Sequence, residues 1–399
     1  MASITVVGGG IVGLSSALAL ADRGHRVTLL DAAFGREAAS WGNAGHIATE
    51  QTAPLASPDT LRSLPRRLFL FGGALGLPPG QIGSWGPFAA ELLAAATPAR
   101  FATGQVALKT LLAKALPAWR ALADRLGGDL LAEDGHIVAW ESARTAAKGH
   151  AAWTAQDTGT ARFAHTPPPF GTAGAIRFTG TAQVRDLSAL ADALEKAVRD
   201  RGVRIVRTDA ALTIVGDRAT IPGHDAELVL VTAGVRSAAL LRPAGHRVPI
   251  IAERGYHLRA RADRWPADLP PVVFEDRSII VTRYADQVQV AGFVELAHPD
   301  AAPDPRKWQR LERHVAALGL PIAGPFARWM GSRPTLPDYL PAIGRSERTS
   351  NLLYAFGHQH LGLTLAPITA TLVAALATDT PPTIDLTPFA LSRFDRRRA

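Results

Sequence analysis

The sequence predicts an α/β fold: a discontinuous nucleotide-binding domain interleaved with an α+β domain that carries an antiparallel sheet. Three observations point to it. A strand, glycine turn, helix, strand unit opens the chain at 3–31, strand and helix signatures of the same kind return at 184–237 and 352–378, and 247–295 reads as antiparallel strands. At roughly 100–200 residues per domain, 399 residues predict two domains or one large one. These segments put 1–55, 180–243 and 331–399 in the nucleotide-binding domain, and 56–179 and 244–330 in the other.

Each element follows from its pattern. SITVV is a short apolar strand, GGGIVG a turn, IVGLSSALALADRG a helix closing at Gly24, and HRVTLLD a strand ending in Asp31. Residues 35–58 are small and polar and read as loop. Amphipathic helices are expected over 59–126, one of them (108–128) interrupted by Pro117. GDLLAEDGHIVAWES (128–142) reads as a hairpin turning at Glu133–Gly135. In 186–202, Leu187, Leu190, Ala191, Leu194 and Val198 share one helical face, and the run closes at Gly202. VRIVR and ELVLVTAG follow as strands. VPIIAERGYHLRA, SIIVTRY and QVQVAGFVE form the antiparallel set, 306–320 is a helix, and 352–378 is strand, glycine turn, helix.

Composition narrows the chemistry. Apolar residues make up 47% and charged residues 20%, an ordinary globular balance. No window holds 18 uninterrupted apolar residues, so no spanning helix is expected, and MASITVVGGG reads as a strand rather than a secretory leader, so the cytoplasm is the expected location. There is no Cys, which excludes disulfides, thiolate metal sites, Cys nucleophiles and a thioether-linked cofactor. The net charge is +8, and 38 of the 43 basic residues are Arg. They are scattered, with only Arg396–Arg398 clustered, so no nucleic-acid partner is expected. A basic field suits anionic substrates or acidic membrane surfaces.

Gly8, Gly10 and Gly13 form G-x-G-x-x-G between a strand and a helix, and Asp31 closes the next strand. That context marks a dinucleotide site. Gly8 allows the tight turn, Gly10 the close approach of a pyrophosphate to the helix N-terminus, and Gly13 the packing of helix on strand. Asp31 would accept from the adenosine ribose hydroxyls. It disfavours NADP and fits either NAD or FAD.

Four stretches resemble the FAD-dependent amino-acid oxidoreductases, the superfamily of D-amino-acid oxidase, glycine oxidase and sarcosine oxidase, and most closely its D-amino-acid dehydrogenase branch. They are the opening unit, AASWGNAGHI (38–47), ERGYHL (253–258), and GSRPTLPDYLPAIG (331–344) with FGHQHLGLTLAP (356–367). The resemblance implies a Rossmann-type FAD-binding domain and FAD as cofactor. It implies that Gly8, Gly10, Ile11, Val12, Gly13, Asp31, Ser40, Asn43, Ala44, Gly45, Ala233, Gly234 and Gly331 line the cofactor. Gly357, His358, Gln359, His360, Leu361 and Gly362 would turn backbone amides toward its pyrimidine edge. Arg333 would pair with the substrate carboxylate, a role that suits a planar guanidinium. Tyr256 would be a second carboxylate contact. His46 and His358 would approach the flavin and substrate, the competing reading of His46 being a histidine satisfied by its own loop. No metal site is expected, because His358-x-His360 lacks a third ligand.

The implied reaction is transfer of a hydride from Cα of a D-amino acid to flavin N5, giving an imine. A quinone or another electron carrier would take the electrons onward, which would bring the chain to the inner face of the membrane. The alternative is an oxidase of glycine or N-methyl amino acids that uses O2. Three departures from the branch, at Trp41-Gly42, His257 and the doubled histidine of HQHLG, bear on the substrate. Trp41, Tyr256, His358 and His360 would make a small, partly polar pocket, favouring a ring such as D-proline or hydroxy-D-proline.

Overall fold

The computed structural model describes residues 1–33 and 37–395; the cluster Arg396–Arg398 lies outside them. The first sheet has six strands. It begins with β1 (Ser3–Val7), α1 (Ile11–Asp22) and β2 (Arg26–Asp31). It continues through α2 (Leu187–Asp200), β3 (Arg204–Arg207), β4 (Leu228–Val231), β5 (Ala342–Arg345), β6 (Leu352–Phe356) and α3 (Gly362–Ala377). The strand order is β3-β2-β1-β4-β6-β5, parallel except for the edge strand β5. Parallel strands need crossovers, and α1 and α2 supply two of them.

Side-chain pattern explains the helices. Asp186 caps α2, accepting from the amides of Ser188 and Ala189, and Leu187, Leu190, Ala191, Leu194 and Val198 are the buried face. Each such Leu or Val contributes roughly 1.5–3 kcal/mol. α3 is apolar all round and buried accordingly. The run Gln359–Ala377 is long and apolar enough to cross a membrane, yet 78% of it is buried here. It packs against α1.

The second sheet has nine strands. Its order runs from Ala327–Thr335 through Ile251–Arg261, Gln287–Ala297, Ile279–Tyr284, Val272–Phe274, His136–Trp140 and Gly174–Thr179 to Arg162–His165, with Leu75–Gly76 paired to Gln287–Ala297. Helix Pro305–Ala317 covers one face.

Three local expectations need correction. The 128–142 segment is no hairpin: Leu131–Ala132 pairs with Ala182–Val184, and His136–Trp140 pairs with Gly174–Thr179 and Val272–Phe274. Both strands find longer-range partners. The run 108–128 is interrupted as expected, but the break falls ahead of Pro117 and not at it: one helix ends at Leu112 and the next starts at Ala115, so Pro117 sits in a first turn where its missing N–H is tolerated. The boundary placed at 331 cuts a strand, because Gly331–Thr335 belongs to the second sheet, paired with Ile251–Gly255.

Candidate active site

The glycine turn has the geometry a dinucleotide needs. Gly8 has φ +110°, and a Cβ there would lie 2.6 Å from the Thr232 carbonyl. A Cβ on Gly13 would lie 1.8 Å from the Gly8 carbonyl oxygen, so helix and strand touch only because it is absent. Gly10 is different: a Cβ would meet only Ser40 Oγ, at 3.3 Å. The side of Gly10 is therefore open, as an approaching phosphate requires. Gly10 is the N-cap of α1 and offers no side chain, and the first turn carries no acid. The amides and dipole of that turn remain available to an anion. Ser40 Oγ accepts from the Ile11 amide at 3.2 Å, and Asp31 accepts from the amides of Gly9 and Ala33. Val12 follows in the same first turn, and Ala233-Gly234 follows β4 beside the turn, Ala233 Cα being 2.7 Å from the Gly8 Cβ position.

The loop Trp41–Gly45 hangs from the second sheet. Arg259 donates to the Trp41 carbonyl at 3.2 Å and His257 Nδ1 to the Gly42 carbonyl at 3.1 Å. Tyr284 and Gln289 donate to the Asn43 carbonyl at 2.8 and 2.9 Å. Asn43 Oδ1 accepts from the Gly45 amide at 2.9 Å, and Gly45 has φ +73°, where a Cβ would meet the Tyr284 hydroxyl at 2.8 Å. The Val184 amide donates to the Gly45 carbonyl at 2.8 Å, so Ala44 is held between the anchored carbonyl groups of Asn43 and Gly45. Burial pushes His257 down to about 3, so the ring is neutral, and its Nδ1–H is the donor.

Alternation along the Ile251–Arg261 strand decides what shares that face. Glu253, Gly255, His257 and Arg259 lie on one side, and Arg333, Gly331 and Trp329 stand opposite the first three on the neighbouring strand. Arg333 Nη1 donates to Glu253 Oε1 at 3.3 Å, Thr335 Oγ1 donates to Glu253 Oε2 at 3.1 Å, and the Tyr339 hydroxyl bonds the same carboxylate. The guanidinium lies over Gly255, where a Cβ would come within 2.5 Å of it. Glu253 is buried while the Arg333 side chain is 29% exposed, so one edge is held and the rest stays open to an anion.

Other expected residues lie elsewhere. Tyr256 falls on the opposite face: its hydroxyl donates to Glu295 and accepts from Arg254 and the Asp304 amide. It is buried, not a carboxylate contact beside Arg333. His358 is buried against α3, its Nε2 3.0 Å from Thr369 Oγ1, and burial holds it down to about 3. It braces the fold. Gly331 makes room for the Trp329 ring, which also covers Gly42 and stacks on His257 at 4.7 Å. Trp41 is buried in the core of the first sheet. The small pocket expected of Trp41, Tyr256 and His358 therefore does not assemble, and the argument for a ring substrate falls with it.

His360 does reach the site. Its ring bonds Gln51, and burial, with Glu253 raising and Arg333 lowering, leaves it at about 4. Gly357 has φ +79° and Gln359 φ +49°, the latter held by its Nε2 bond to the Tyr339 carbonyl at 2.7 Å. This turn, with Leu361 and Gly362, starts α3, which has no acid in its first turn. His46 faces Glu50 and His136. Sequence reasoning missed Glu253, Gly255 and Trp329; Glu253 and Gly255 lie within ERGYHL, but only the pairing of that strand with Ala327–Thr335 brings them to Arg333.

The family model for FAD dependent oxidoreductases matches residues 3–376. Over 98% of both chains, the protein is 31% identical to a D-amino-acid oxidase of Bradyrhizobium diazoefficiens. It is also 31% identical to D-amino acid dehydrogenase 2 of Ralstonia nicotianae, over 98% of this chain and 100% of that one. Among solved structures, glycine oxidase from Geobacillus kaustophilus superposes with a TM-score of 0.75 at 21% identity, covering 99% of each chain. Iminodiacetate oxidase from Chelativorans gives 0.72 at 19% identity, over 97% of this chain and 98% of that one. The chain belongs to the FAD-dependent oxidoreductase family, and its cofactor is FAD.

Proposed function

We propose that the protein is a dehydrogenase that oxidises the Cα–N bond of D-amino acids. The observation that carries this is Arg333: a guanidinium fixed along one edge by Glu253 and open along the rest, on the sheet face that also suspends the Trp41–Gly45 loop. The D-amino acid class rests on the relatives' names.

Bound FAD supplies the acceptor that takes a hydride from Cα at flavin N5. The chain's own residues bind and orient. Gly8, Gly10 and the α1 N-terminus would hold the pyrophosphate of FAD and Asp31 its ribose, with Ser40 and Asn43 at the start of the adjoining loop. The start of α3 favours negative charge that develops beside it. Arg333 takes the substrate carboxylate in two parallel hydrogen bonds and so selects which face of Cα is presented. The amine enters neutral, its lone pair becoming the second C–N bond as the hydride leaves. Water then hydrolyses the imine to a 2-oxo acid and ammonia.

We assign the onward acceptor to a quinone or another electron carrier at the inner face of the membrane. Supporting a peripheral contact, Leu70 and Phe71 are 76% and 74% exposed beside Arg66 and Arg67. The relative called an oxidase keeps O2 as the second reading. Turnover with D- and L-amino acids, followed as 2-oxo acid in air and with a quinone analogue, tests both. Quinone-dependent turnover of D-forms supports the proposal; peroxide formation at the same rate moves the assignment to an oxidase.

A further inference from the structure

His46, Glu50 and His136 meet just beyond the suspended loop. His46 Nε2 is 3.0 Å from Glu50 Oε1, and His136 Nε2 is 4.0 Å from the same oxygen. One donor atom from each residue lies within 4.8 Å of the other two. The two rings meet edge to face, with centroids 4.4 Å apart. Glu50 and His136 are each only 2% exposed.

A plain ion pair between His46 and Glu50 leaves much unexplained. Glu50 Oε2 and His46 Nδ1 are buried and have no partner among the described residues. A carboxylate oxygen left so is costly. His136 is already oriented, because its Nδ1 bonds Thr181 Oγ1 at 3.2 Å. That leaves Nε2 aimed at Glu50. An outer hydrogen bond that fixes one ring nitrogen while the other faces a carboxylate is how metal-binding histidines are held.

We propose that His46, Glu50 and His136 form a binding site for one divalent transition-metal ion of the zinc class. Two imidazole nitrogens and one carboxylate suit such an ion, whereas calcium and magnesium take oxygen ligands. Bonds of about 2.0–2.2 Å in tetrahedral geometry place donors roughly 3.3–3.6 Å apart. The two distances to Glu50, 3.0 and 4.0 Å, bracket that spacing, and all three donors lie within 4.8 Å of one another, so side-chain shifts that draw the histidine rings together close the site. Three protein ligands leave a fourth position for water. The ion would tie His46, which follows the Asn43–Gly45 turn, to the His136–Trp140 strand of the second sheet. It is thus a clamp on the loop.

The test uses the FAD-loaded enzyme made without a polyhistidine tag and stripped with a chelator. Zn2+ is titrated by calorimetry and Co2+ by its visible absorption. One ion per chain should bind, raising the Tm, and Glu50→Gln should abolish binding. Thr181→Val keeps all three ligands and should weaken binding about tenfold. It serves if Glu50→Gln fails to fold. His150→Ala removes one ring of the outlying His150–His165 stack, whose centroids are 4.5 Å apart, and should change nothing. Absence of saturable binding at one ion per chain overturns the site. So does equal affinity in wild type and Thr181→Val, or loss of binding in His150→Ala.

Discussion

Arg333 and Glu253 face each other across adjacent antiparallel strands, guanidinium to buried carboxylate at 3.3 Å, with Gly255 giving the guanidinium its bed. The pair converts a flexible cation into an oriented one. Glu253→Gln keeps the shape and removes the charge. We expect the substrate KM to rise about tenfold with a smaller change in kcat, since a hydrogen bond to a charged group is worth about 1.5–3 kcal/mol. Stopped-flow reduction across substrate concentrations measures the split, and an unchanged KM contradicts the orienting role.

Arg333→Lys replaces a planar fork with a point charge. Losing one charge-assisted hydrogen bond to the carboxylate, about 1.5–3 kcal/mol, should raise KM roughly 10- to 100-fold. FAD content, read from the absorbance of the purified protein, should stay normal. Unchanged kinetics would remove the carboxylate role.

Two glycines of the same motif should fail differently. Gly13→Ala drives a Cβ to 1.8 Å from the Gly8 carbonyl, so the apoprotein itself should lose stability. At Gly10 a Cβ meets only Ser40 Oγ at 3.3 Å. Gly10→Val should therefore fold with a near-normal apoprotein Tm yet retain no FAD. Full FAD occupancy in Gly10→Val would remove the pyrophosphate reading.

Tyr256→Phe should act on stability and not on substrate. Its hydroxyl serves Glu295, Arg254 and the Asp304 amide within a buried network. We expect a loss of about 1–3 kcal/mol in denaturant unfolding and an unchanged KM. A raised KM at wild-type stability would return Tyr256 to the substrate site.

Acid should destabilise the fold early. Burial holds His257 and His358 down to about 3 and His360 to about 4, against 6.5 for an ordinary imidazole. Between those limits the unfolded chain binds protons the folded chain does not, so stability falls as pH falls. Each histidine adds at most about 1.4 kcal/mol per pH unit. The Tm should drop between pH 7 and 5, less steeply in His358→Gln. A Tm flat over that range contradicts the neutral buried rings.

Legibility in the sequence followed the range of the interactions. The Gly8–Asp31 unit is local: turn, helix face and strand are all written within one short segment, and the structure repeats it. The amphipathic face of 187–200 was equally plain. Leu131–Ala132 and His136–Trp140 were misread because two short strands near a glycine look like a hairpin, whereas their partners lie far along the chain. Arg333 stood out only through its motif, and its partner Glu253 is distant in sequence. Tyr256 lies on the strand face away from Arg333, which the sequence does not show: both faces carry polar residues, so alternation alone does not say which one meets the site. His136 joins His46 and Glu50 only through the three-dimensional fold.

Anaerobic reduction of the bound flavin by single amino acids tests the central claim most directly. The panel should hold D-alanine, D-proline, hydroxy-D-proline and glycine, with the L-form of each chiral member. The account predicts bleaching by D-forms, with the L-forms far slower, and a rise in the substrate concentration needed when Arg333 is Lys. Faster bleaching by L-forms, or a response to D-forms that ignores the change at Arg333, would contradict it.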